Sequence, residues 1–99
     1  MSYSSDEMLL LARETVNVAE SAGLHQLAAV TRVYEGMALW RLSRAEEAVE
    51  LLSDLRSRLL QQPDSLALAM CLSTLASAHV SAGRWNEGRR YATEAIVSS

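Results

Sequence analysis

An all-α fold, with antiparallel helical hairpins stacked as a short α-solenoid of five helices, is what this 99-residue chain predicts. Three observations carry that expectation. Pro63 is the only proline, the four glycines are scattered, and no window alternates apolar and polar residues as a half-buried strand does. Helix start and stop signals recur along the chain. The stretch "RLSRAEEAVELL" at 41–52 is echoed by "SAGRWNEGRRYATEAI" at 81–96, with the same order of small, charged and apolar parts.

Ser4 and Glu7, three residues apart, form a capping-box spacing that satisfies exposed N–H groups at a helix start. The first helix then runs through "MLLLARETVNVAESA" to Gly23, a residue suited to the left-handed conformation that closes many helices. A second helix is expected over 24–42. Ser43 with Glu46 repeats the capping-box spacing and is expected to start a third, in which Asp54 and Arg58 make an i,i+4 surface pair. Pro63 interrupts it, being tolerated only near a helix start. The fourth helix, "SLALAMCLSTLASAHVSA", ends at Gly83, and the fifth is "RWNEGRRYATEAIVS".

The echo has a fixed step. Arg44 and Arg84, Glu47 and Glu87, Ala48 and Gly88 stand 40 positions apart, as do Ala29 and Ala69, Gly36 and Ala76, Ala38 and Ala78, Ser43 and Gly83. Shifted the other way, Leu11 falls over Leu51 and Gly23 over Pro63. Small residues recur where one helix must pass close to another. A helix-turn-helix unit repeated at this period marks an array in which each hairpin buries its apolar face on the next. The expected organisation is one domain over 1–99: a half repeat at 5–23 and full repeats at 24–62 and 63–98.

At these residues the chain resembles a tetratricopeptide repeat (TPR) protein. The last hairpin offers Leu72, the Leu75-Ala76 pair, His79, Gly83, Trp85, Gly88 and Ala95-Ile96 at the family's positions. The middle one offers Gly36, Leu39, Ser43, Ala45, Ala48 and Leu52, but has Arg32 and Glu35 where large apolar residues are usual. The step of 40 also exceeds the family's common period of about 34. The resemblance implies a concave face that binds a partner helix or peptide. Carried over, that groove consists of Val30, Val33, Met37 and Trp40 in the middle repeat and Met70, Ser73, Ser77 and Val80 in the last. The same Met and Trp stripe also reads as the interior of a closed five-helix bundle. A clamp for a terminal carboxylate is disfavoured, because the chain has no lysine and only Arg32 and Arg41 stand near the stripe.

Composition narrows the classes further. Half of the chain is hydrophobic, far from disorder, and a net charge of −3 lacks the basic stripe that nucleic acid requires. Arginine without lysine looks like GC-rich coding bias and points to a bacterial source. No apolar run approaches the roughly 20 residues that span a bilayer, and "MSYSSDEM" is unlike a signal peptide. Cys71, the only cysteine, sits in the apolar run "LALAMCL" and reads as an inert buried thiol in a reducing cytoplasm. His25 and His79 lack ligand-spaced neighbours, and Glu46, Glu47 and Glu50 fit a solvated first turn. No catalytic residue, metal or other cofactor is therefore expected.

The expected function is non-enzymatic protein–protein contact with a protein or peptide partner. Apolar end faces, with Tyr91, Ile96 and Val97 near the terminus, are expected to be covered in a homodimer. The resemblance also admits a regulatory or sensory segment of a larger bacterial signalling protein, such as a cyclic-dinucleotide enzyme or a transcription activator. A small chaperone for a secreted protein is a further alternative.

Overall fold

Five helices account for nearly all of the described chain. They are α1 (Ser5–Ser21), α2 (His25–Arg41), α3 (Ala45–Leu59), α4 (Leu66–Ser81) and α5 (Trp85–Ser98). The computed structural model describes residues 4–61 and 66–98, and no strand occurs among them. Pro63 lies outside the described residues.

Helix α1 begins with the expected capping box: the Ser4 hydroxyl accepts from the Glu7 N–H, and the Glu7 carboxylate accepts from the Ser4 N–H. Its buried residues, Leu9, Ala12, Val16 and Ala19, recur at steps of three and four and so form one stripe.

The second capping box does not form. The residue that caps α3 is Arg44, whose side chain makes no capping bond and instead donates to the Glu47 carboxylate. Ser43 instead sits at φ 62°, the left-handed region, where Gly23 (φ 74°) and Gly83 (φ 81°) sit in the corresponding turns. All three turns close the same way. The N–H groups of Leu24, Arg44 and Arg84 donate to the carbonyls of Ala19, Leu39 and His79, five residues back. Those of Gly23, Ser43 and Gly83 donate to Glu20, Trp40 and Val80. This is the Schellman arrangement, which satisfies carbonyls left open at a helix end. Ser43 is thus the misread partner of Gly83: a helix-ending residue that happens to have the chemistry of a helix-starting one. A side chain at that φ is strained, so Ser43→Gly should raise stability by about 0.5–1 kcal/mol. Urea midpoints of the two proteins check this, and a lower midpoint in the variant contradicts it.

Each helix packs on its neighbours in the chain, and α2 also packs on α4. The main core lies where α2, α3 and α4 meet and holds Val33, Leu52, Leu55, Leu68, Leu72 and Leu75. A smaller cluster of Leu9, Ala38, Leu39 and Ala48 joins α1 to α2 and α3. Helix α4 touches α2, α3 and α5, which is why its sequence is the most continuously apolar of the five. Gly36 marks the closest approach of α2 to α3: a Cβ there would stand 2.8 Å from Cγ and Cδ2 of Leu52.

The two polar residues of α2 that depart from the TPR pattern both reach α1. Arg32 donates to both carboxylate oxygens of Glu20 at 3.0 Å, and Glu35 accepts from Arg13 at 3.3 Å. Their side chains cover the seam between the first two helices, so the departures follow from what α2 packs against. Asp54 and Arg58 pair at 3.0 Å as their spacing predicts.

Cys71 is fully buried, and its thiol donates to the Leu52 carbonyl at 3.2 Å. Burial pushes its pKa up to about 12, so the thiolate is suppressed, in keeping with the inert role expected. No helix among the described residues is long and apolar enough to cross a membrane.

Candidate functional site

Two tryptophans line an apolar concavity. A groove of about 460 Å³ runs between α4 and α5 and is closed at one side by α2. Trp40 comes from α2, Ala76, Ser77, Val80 and Ser81 from α4, and Trp85, Gly88, Arg89 and Ala92 from α5. The α5 residues recur at steps of three and four because they share one helix face. Gly88 lets α5 come close to α4 along the groove; a Cβ there would meet the Val80 Cγ2 at 2.6 Å and the Ala76 carbonyl oxygen at 3.1 Å.

The two rings differ in their setting. Trp40 is half-buried, packs on the smaller core cluster, and donates its indole N–H to the Ser81 hydroxyl at 2.7 Å. That bond fixes the ring and satisfies its polar edge, leaving an apolar surface to the groove. Trp85 is 66% exposed. Arg89, at the rim, forms no ion pair among the described residues.

Of the residues expected in a groove, only Trp40 and Ser77, with Val80, come together here. Val33 is a correction: it is fully buried in the main core, because α4 covers that side of α2. Val30, Met37 and Met70 are partly buried against the same core, and Ser73 is exposed on α4 outside the groove. Sequence reasoning missed Trp85, Arg89 and Ala92. The stripe formed by Trp85, Arg89, Ala92 and Ile96 on the last helix was the available signal; the resemblance had assigned Trp85 to packing.

Tyr91, expected at a self-association surface, is engaged within the chain. Its ring stacks on His79 with centroids 5.3 Å apart and lies under the Arg56 guanidinium at 5.5 Å. Arg56 in turn holds Glu94 through three short hydrogen bonds, tying α3 to α5. That bonding to Glu94 raises the already high pKa of Arg56. Ile96 and Val97 are exposed as expected, at 75% and 77%.

His79 links α4 to the turn before α5 and to Tyr91 on α5. Its Nδ1 accepts from the Arg84 Nε–H at 2.9 Å, and Arg84 also reaches Glu46 at 2.7 Å. Burial first, then the Arg84 charge, lowers the pKa of His79 below 6.5, against the weaker opposing pull of Glu87 and Glu46. The folded chain therefore holds a neutral imidazole. Below pH 6.5 the unfolded chain takes up a proton that the folded one refuses, so this contribution is complete above that pH and is lost as pH falls below it. His79→Gln should flatten the fall in melting temperature between about pH 7.5 and pH 5.5. Equal slopes in the two proteins contradict this assignment.

Two other concavities lie beside ion pairs. One, of about 260 Å³, lies beside the Glu20–Arg32 pair; the other, of about 510 Å³, places Glu47, Glu50 and Asp54 near the Arg13–Glu35 pair. No group of three or more histidine, cysteine or carboxylate side chains among the described residues is placed to hold a metal ion. No protein-family model, curated protein or solved structure matches this chain.

Proposed function

We propose that the chain is a non-enzymatic protein–protein interaction module, a short TPR-like α-solenoid that seats a partner helix or peptide in the Trp40–Trp85 groove. The observation that carries this reading is a tryptophan left 66% exposed beside a second, fixed tryptophan on an apolar wall. Exposed aromatic surface is costly in water and is the residue type most enriched among binding hot spots. The solenoid reading is supported by three turns of one geometry, by packing that runs from each helix to its neighbours, and by the direct contact of α2 with α4. A cytoplasmic setting suits a single buried thiol.

Selection of a random peptide library on the immobilised chain tests the function. Enriched peptides should carry a large apolar residue. Trp85→Ala should weaken their binding about 30-fold or more, the scale of a tryptophan hot spot. It should leave the melting temperature close to that of the parent, since the ring is exposed. Peptides that bind both proteins equally place recognition elsewhere, and an empty selection removes the groove as a peptide site.

A further inference from the structure

We propose that the groove takes helix α1 of a second copy, so that copies of the chain join end to end. Among the described residues, the first and last helices each expose three large apolar side chains: Leu10, Leu11 and Val18 on α1, and Trp85, Ile96 and Val97 on α5. Leu24, Leu27, Tyr34, Leu60 and Leu66 are exposed on the elements between them.

Charge makes these ends complementary. On α1, Glu7, Leu10, Leu11, Glu14 and Val18 recur at helical spacing on the side opposite the buried stripe, so the exposed face is apolar and acidic together. Glu14 forms no ion pair among the described residues, while the Glu7 carboxylate accepts from the Ser4 N–H of its own cap and Asp6 feels the Arg44 charge. At the other end, Arg89 stands exposed at the groove rim and forms no ion pair among the described residues, whereas Arg90 beside it lies over the Tyr91 ring and donates to its hydroxyl. An occupant that brings carboxylates and leucines at helical spacing meets both needs, and α1 is such an occupant. The surfaces that meet are different ones, which makes the contact heterologous and leaves a fresh groove on each added copy.

This inference rests on the groove being a binding surface, and its failure is separable: a chain that selects peptides but never self-associates keeps the functional reading and loses this one. The test is mass by light scattering over a wide range of concentration at low and high salt. Mass should climb with concentration past that of two copies and fall when salt is raised. Arg89→Glu and Glu14→Arg should each weaken association about tenfold or more, and the two together should recover most of the loss. Both residues are exposed, and melting temperatures near the parent's verify that the variants fold. A monomer at every concentration overturns the proposal. So does a mass fixed at two copies and indifferent to both substitutions.

Discussion

Leu52→Ala should destabilise the chain by about 2–5 kcal/mol, which for a domain of this size removes much of its total stability. Leu52 is fully buried at the meeting of α2, α3 and α4, against Val33 and the Gly36 backbone, and its own carbonyl accepts from Cys71. Truncation empties a space bordered by three helices, and a close-packed interior relaxes only in part. Urea unfolding measures the loss. A change below about 1 kcal/mol would mean that the helices collapse onto the vacancy and that the core is looser than the packing indicates.

Gly36→Val has the second largest expected effect, a loss of about 3 kcal/mol. The Cβ would stand 2.8–2.9 Å from Cγ and both methyl carbons of Leu52, well inside contact distance, and a branched side chain adds to the overlap. Overpacking of this kind costs about 1–3 kcal/mol, and valine recovers little of it through helix propensity. Gly36→Ala should lose less, since alanine gains about 1 kcal/mol over glycine in a helix. The two sites are coupled: Gly36→Val combined with Leu52→Ala should be clearly less damaging than the sum of the separate losses, because the atoms that collide are those the second substitution removes. Strict additivity in urea unfolding would show that the two residues do not share one space.

Periodicity made the helices and their ends legible in the sequence. The helix boundaries follow from the buried stripe of α1, the caps and the small residues at each turn. The 40-step echo paired Ser43 with Gly83, and both hold the left-handed turn. Ser43 was still misassigned as a cap, since a serine three residues before a glutamate satisfies the local rule and only the turn's hydrogen bonding separates the two roles. The groove was less legible. A repeat pattern says which residues are equivalent, but equivalence fails where neighbours differ: Val33 on α2 is covered by α4, while Ser73, its counterpart on α4, has no sixth helix over it among the described residues and is exposed. Arg32 and Glu35 looked like departures from a pattern and turned out to answer charges on α1, information held 12 and 22 residues away in the chain.

Packing that joins mainly sequence neighbours has a kinetic consequence. Apart from the α2–α4 contact, each helix interface joins neighbours in the chain and closes a short loop, so little chain entropy is lost before contacts repay it, and folding is expected within microseconds to milliseconds, as for other helical proteins of low contact order. Opening follows the same logic in reverse. Helices α1 and α5 each lean on fewer partners than α2 and α4 do, so amide hydrogens at the two ends exchange with solvent sooner than those in the middle. The surfaces proposed for recognition are thus also the first to loosen.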